Sequence, residues 1–124
     1  MMIKVKRIHE PPEAVDGVRF LVDRLWPRGV RKELAHFDYW LKDAAPSNEL
    51  RRWFGHSPDR WPVFRLRYFD ELDHQPHAWE PILDAGRHGN VTLLCAARDT
   101  EHNNAVALQE YLARRAPETV GGAE

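Results

Sequence analysis

The chain has 124 residues, 43% hydrophobic and 30% charged, with a formal net charge of −1 at pH 7. That length suits one domain able to bury roughly two-thirds of the surface its unfolded chain exposes, and the composition excludes an intrinsically disordered chain. The near-neutral balance excludes a protein that coats nucleic acid through excess positive charge, and the single cysteine, Cys95, excludes an internal disulfide and any zinc site with two cysteine ligands.

IKVKRI, residues 3 to 8, alternates apolar and basic residues at period two and predicts a strand with one solvated or functional face. EPPE follows as a loop. GVRFLVDRLW, residues 17 to 26, carries the apolar core Phe20, Leu21, Val22 and predicts a more deeply buried strand, ended by Pro27 and Gly29. The run LAHFDYWL, residues 34 to 41, reads as irregular or strand-like, with a helical turn as the alternative.

APSNELRRWFG predicts a short helix capped by Ser47 or Asn48 and closed before Gly55. In the next segment Asp59 is the candidate cap and Pro62 falls in the first turn, while Trp61, Phe64, Tyr68 and Leu72 recur at helical spacing. Residues 76 to 89 predict a third helix ending at Gly86 or Gly89. VTLLCA, residues 91 to 96, is a short apolar strand led by β-branched residues. After it, Thr100 or Asp99 is the expected cap of a helix that buries Ala105, Leu108, Tyr111 and Leu112. The expectation is one small three-layer α/β domain over residues 1–115, its central sheet at least partly parallel and flanked by helices, with a flexible C-terminal tail over 116–124.

Two predicted strands end in polar clusters, one in Asp23, Arg24, Trp26 and Arg28 and the other in Arg98, Asp99 and Asn103. If both strands point the same way, the clusters meet at the carboxyl edge of the sheet, where open α/β sheets bind ligands. Continued alternation places Arg24 and Trp26 on one face and Asp23 on the other, free to anchor a neighbouring backbone. The competing reading is a structural ion-pair network with Trp26 as a lid over the core.

Cys95 stands at a strand end before a helix, where thiol nucleophiles sit, but the spacing opposes that role. Position 101 is Glu where a phosphatase-like loop needs Arg, and AARDT lacks glycines. His74 and His77 are separated by Pro76 and do not make a helical ligand pair, so no metal and no cofactor is expected. His56 and His102 remain as candidate acid/base groups. Arg51, Arg52, Arg60, Arg65 and Arg67 read as a solvated or ion-paired helix face, because acidic residues are interleaved among them. Low cysteine content and the lack of any run of eighteen apolar residues make a cytoplasmic protein without a membrane partner the expectation.

DGVRFLVDRLWPRG, DYWLKDAAPSNELRRWF, RWPVFRLRYFDEL and VTLLCAARDTEHNNAVAL together resemble the YeaO-like family, grouped under domain of unknown function 488. The likeness runs from residue 3 to about residue 113 and implies a compact α/β domain, mostly bacterial, without bringing an activity with it. It carries over Asp23, Arg24, Trp26, Pro27, Arg28 and Gly29, then Lys42, Pro46 and Ser47, then Tyr68, and finally Asp99 and Asn103. Members of the broader family resemble a pattern of Cys, then Glu two residues on, then a Cys-His-Arg triplet. Here Cys95 is kept, Ala97 replaces the Glu, and Asn103, Asn104 and Ala105 stand where the triplet would fall.

The reading that follows is a pocket for a small phosphate- or carboxylate-bearing ligand. Arg24, Trp26, Arg28, Lys42, Ser47, Arg98, Asp99 and Asn103 would bind it, with Asp23 and Tyr68 in structural or orienting roles. No activated nucleophile can be named, so the residues do not decide between an enzyme and a binding protein. The alternatives are a nucleic-acid-binding or regulatory protein using its arginine-bearing helices, and a protein-interaction module.

Overall fold

The computed structural model describes residues 2–115, so the tail expected over 116–124 lies outside the described residues. The strands β1 (Ile3–Arg7), β2 (Val18–Leu21), β3 (Tyr39–Trp40) and β4 (Val91–Cys95) form one sheet in the order β1-β4-β2-β3. All of these pairings are parallel. Four α-helices accompany them: α1 (Asn48–Phe54), α2 (Trp61–Asp73), α3 (Pro76–Gly86) and α4 (Asn104–Arg115).

Parallel strands need right-handed crossovers, so connections that run in opposite directions along a sheet must lie on opposite faces. The links β1 to β2 and β2 to β3 run one way, and the return from β3 to β4 runs the other. The return carries α1, α2 and α3. Phe54, Phe64, Ile82 and Leu108, one from each helix, join the same core cluster as Phe20 and Leu93 of the sheet. The opposite face is covered by irregular chain with short 3-10 turns at Ala14–Asp16 and Lys32–Leu34, so the second flanking layer is loop where helix was expected. Its apolar part gathers Ile8, Leu21 and Leu94 under Trp26, Phe37 and Trp40.

That loop-covered face also resolves the alternation in IKVKRI. The basic side of β1 is not solvated: Lys6 is 8% exposed and the Asp16 carboxylate it meets is fully buried. Lys4 and Lys6 donate to Asp16 at 3.1 and 3.0 Å, and Arg19 Nη1 donates at 2.5 Å. Burial by itself would raise the Asp16 pKa, but hydrogen bonds from Lys6, the Glu13 amide, Lys4 and Arg19 hold it well below the usual carboxylate range. Arg19 also donates to the carbonyls of Glu10 and His36, at 3.2 and 2.7 Å, so one guanidinium fastens both covering loops.

Local boundaries follow from capping. Ser47 Oγ accepts from the Leu50 amide at 3.1 Å, and Gly55 closes α1 in the left-handed region. Asp59 does not cap α2; it lies in a 3-10 turn, and Arg60 precedes the helix without a side-chain cap. Nor do Thr100 or Asp99 cap α4, because Asn103 Oδ1 takes the Val106 amide at 2.8 Å. β2 stops at Leu21, well short of residue 26. The Val22 amide still bonds Leu94, but the Val22 carbonyl accepts from the Asn104 side chain, which closes the ladder.

Gly17 enters β2 with φ 64°, and a Cβ there would lie 1.8 Å from the Asn90 carbonyl oxygen. Gly17→Ala is therefore expected to destabilise the fold by about 2 kcal/mol or more, combining left-handed strain with a clash against backbone; an unchanged urea midpoint would contradict this packing. The Asp16 cluster sets a pH dependence. A carboxyl whose folded pKa is depressed adds stability above its unfolded value, and that stability drains away as pH falls toward the folded value. Urea stability should thus decline as pH drops through and below 3.8, and Asp16→Asn should flatten that decline while weakening the fold at neutral pH.

Candidate functional site

β2 and β4 are parallel neighbours, so their carboxyl ends lie side by side. The chain leaves β2 toward the loop-covered face and leaves β4 into α4 on the helical face. Between two such exits a parallel sheet opens a crevice. A cavity of about 840 Å³ occupies it, walled by residues following β2, residues following β4 and the end of α1. The two polar clusters legible in the sequence do meet there.

Asp23 ties the exits together. Its Oδ2 accepts the Ala96 amide at 2.9 Å and its Oδ1 accepts from Asn104 Nδ2 at 3.2 Å. Burial raises its pKa, opposed by the Ala96 amide, the Asn104 side chain and nearby His56. Arg24 donates to the carbonyls of Pro46 and Ala45, at 3.0 and 3.2 Å, and so fixes the turn ahead of α1. Trp26 donates its indole N–H to Val30 at 2.8 Å and sets its ring edge-on to Trp40 at 5.4 Å. Arg24 and Trp26 both line the cavity, yet they anchor to different segments. Period-two alternation does not extend past Leu21, because no ladder remains there to impose it.

Arg28 and Arg98 are solvent-exposed on the cavity wall. Asp99 and Asn103 also line it, but their polar atoms are engaged locally. Asp99 Oδ1 accepts the amides of Glu101 and His102, and its Oδ2 pairs with His102 Nδ1 at 3.0 Å. These contacts, the Glu101 amide foremost, lower the Asp99 pKa. Asn103 donates to the Asp99 carbonyl at 2.8 Å while its oxygen caps α4.

Lys42, Ser47 and Tyr68 are not among the lining residues. Lys42 Nζ sits 4.2 Å from the Trp40 ring centroid. Ser47, besides capping α1, donates from Oγ to Glu71 at 2.5 Å, and the fully buried Tyr68 hydroxyl donates to the Ala44 carbonyl. Ser47 and Tyr68 secure the chain around the start of α1, and Lys42 packs on β3. In their place the structure brings Arg51 and Arg52 to the cavity, which the sequence groups with a solvated or ion-paired helix face, along with Asn104. Their signal was the position of both arginines in the last turn before Gly55. His56 lines the cavity too, with φ 57°; His102 is not a lining residue and packs edge-on to Trp61 at 5.4 Å. Among the described residues no group of three or more His, Cys, Asp or Glu side chains is placed to hold a metal ion. No helix among them is long and apolar enough to cross a membrane.

The comparisons with known proteins align with this region of the chain and beyond it. A family model described as the inactive DUF488-N3 subclade, DUF488-N3i, matches residues 2–124. The uncharacterized protein YeaO of Escherichia coli (strain K12) is 38% identical over 112 residues, covering 90% of this chain and 97% of that protein. The uncharacterized protein Rv3073c of Mycobacterium tuberculosis (strain ATCC 25618 / H37Rv) is 38% identical over 110 residues, covering 89% of this chain and 92% of its own. The same figures hold for the uncharacterized protein Mb3100c of Mycobacterium bovis. No solved structure matches the chain.

Cys95, the position shared with the broader family's cysteine pattern, is 1% exposed and lies within the helical-face core. Burial pushes its thiol pKa up to about 12, so the thiolate that reacts with electrophiles is scarce at neutral pH. A thiol-reactive disulfide reagent is expected to leave the folded protein unlabelled at pH 7 and to label one thiol per chain in denaturant. Rapid labelling of the native protein would mean that Cys95 is accessible and activated.

Proposed function

From the premise that this chain belongs to the YeaO-like DUF488 family, we propose that it binds a small anionic ligand, phosphate- or carboxylate-bearing, in the switch-point cavity and does not turn it over. The observation that carries this reading is the convergence of five arginines, Arg24, Arg28, Arg51, Arg52 and Arg98, on one cavity whose lining aspartates are Asp23 and Asp99. Both aspartates are hydrogen-bonded to neighbouring chain. A guanidinium supplies a planar fork that fits carboxylate and phosphate oxygens. Arg24 has a carbonyl-bound fixed position, whereas the exposed arginines around it are available to an incoming anion.

Binding without turnover is supported by the positions at which this chain departs from the broader family's pattern. Residues 97, 103 and 104 line the cavity. They are Ala, Asn and Asn, so the acidic, thiol and imidazole groups of that pattern are missing from its wall. The family description as an inactive subclade agrees with this. The nucleic-acid reading uses the arginine-bearing helices as a group; of their arginines, Arg65 is paired with Glu110, Arg67 lies over the Trp53 ring at 4.6 Å, and Arg51 and Arg52 line this cavity.

Thermal-shift and calorimetric titrations with inorganic phosphate, pyrophosphate and small dicarboxylates are expected to show stabilisation of the wild type, since a ligand preferring the folded state raises its apparent stability. Arg28→Ala should weaken that binding by about 1.5 kcal/mol, or roughly tenfold. Because Arg28 is exposed, its removal should leave the ligand-free melting temperature near that of the wild type. Absence of any stabilisation by all probes, or equal affinity in the variant, would remove the assignment.

A further inference from the structure

The cavity is considerably larger than an inorganic anion. Its volume of about 840 Å³ lies in the upper part of the roughly 300–1,000 Å³ range of small-molecule sites. Charge also exceeds what one phosphate needs: five arginines face two aspartates in the lining, while a single phosphate monoester carries about −1.5 to −2 at neutral pH. Two linked phosphates would balance the arginines better.

Beside His56, Asn103 and Asn104, much of the remaining lining is apolar and includes Trp26, Pro27, Pro46, Phe54 and Phe64. Trp26 stands out because its ring is fixed before any ligand arrives. The indole N–H is committed to Val30, and Trp40 and Phe37 pack against the ring with centroids at 5.4 and 5.9 Å. A positioned aromatic ring offers a stacking surface to a planar heterocycle at little entropic cost. Asp23 supplies the third element. Its two oxygens accept one hydrogen bond each from Ala96 and Asn104, and a carboxylate has about four acceptor sites. It therefore retains capacity for hydroxyl donors.

We propose that the cavity takes a nucleoside diphosphate, with the phosphates among Arg28, Arg51, Arg52 and Arg98, the sugar hydroxyls toward Asp23 and the base against Trp26. This rests on the anion-binding reading of the same cavity and narrows it to one ligand class. Aliphatic carboxylates and sugar phosphates lack a planar ring and would leave the apolar wall without a partner.

The test is isothermal calorimetry of the wild type with ADP, pyrophosphate and ribose 5-phosphate, repeated with Arg51→Ala, Trp26→Phe and Trp26→Leu. The expected result is ADP binding about tenfold or more tighter than either fragment, as one stacked base can provide. Arg51→Ala should weaken both ADP and pyrophosphate. Trp26→Leu should reduce ADP to the affinity of pyrophosphate while leaving pyrophosphate unchanged, and Trp26→Phe should keep most of the ADP preference. If Trp26→Leu does not fold, the wild-type ratios and the Trp26→Phe variant decide. Pyrophosphate or ribose 5-phosphate binding as tightly as ADP overturns the nucleotide assignment but leaves anion binding standing. No binding by any of the three overturns the nucleotide assignment together with the phosphate form of the anion reading.

Discussion

The parallel pairing of β2 with β4, in register from Val18 against Val91 to Leu21 against Leu94, is the constraint on which the rest of the molecule depends. It sets two carboxyl ends side by side at the centre of a four-stranded sheet. The handedness of the crossovers puts the exit of β2 on the loop-covered face, and the chain leaves β4 into α4, which packs on the helical face. The crevice lies between these exits, and residues 23–28, 96–99, 103 and 104 are among its walls. Asp23, accepting from both Ala96 and Asn104, holds the walls at a fixed separation.

Around that crevice the polar and charged residues divide into two populations. Arg24, Asp99, Asn103 and Asn104 spend their hydrogen bonds on chain segments that shape the cavity. Arg28, Arg52 and Arg98 are exposed, and Arg51 makes one exposed contact with Asn48. The proposed anion binding draws on this division, because a fixed frame adds no ordering cost and exposed guanidiniums can pair with an incoming charge. Cys95 lies within reach of this edge in sequence but is buried in the core cluster, which separates the position from the chemistry of the cavity.

The loop-covered face uses charge for a different purpose. Asp16, Lys6 and Arg19 are all nearly or fully buried, and a buried carboxylate is tolerated only when its neighbours satisfy it. Three cations and the Glu13 amide do so here. Such a cluster adds less net stability than its short distances suggest, because desolvation offsets much of the attraction; removing one partner is costly because a buried charge is stranded. Its structural effect is to fasten irregular chain where no helix packs.

Much of this was legible in the sequence because local signals are strong where period and capping agree. The strand at VTLLC, the helix begun by Ser47 and ended by Gly55, and the polar exits after β2 and β4 all follow from apolar pattern and turn chemistry. Asp23 as an anchor for neighbouring backbone was legible too. The roles of Lys42, Ser47 and Tyr68 were not, because a family match marks a position without saying whether its side chain meets a ligand or its own chain. Arg51 and Arg52 reach the cavity only through the placement of α1 over the edge of the sheet. The alternation in IKVKRI predicts one solvated or functional face and misses the buried cluster around Asp16, since alternation reports two different faces but not what covers each. By itself the sequence determined the elements, the family and the existence of two polar clusters, all of which depend on residues near one another in the chain. Only the tertiary structure decided that the clusters share one cavity, which arginines remain exposed there and that Asp16 is buried among cations, because those outcomes depend on strand order and on contacts between segments remote in sequence.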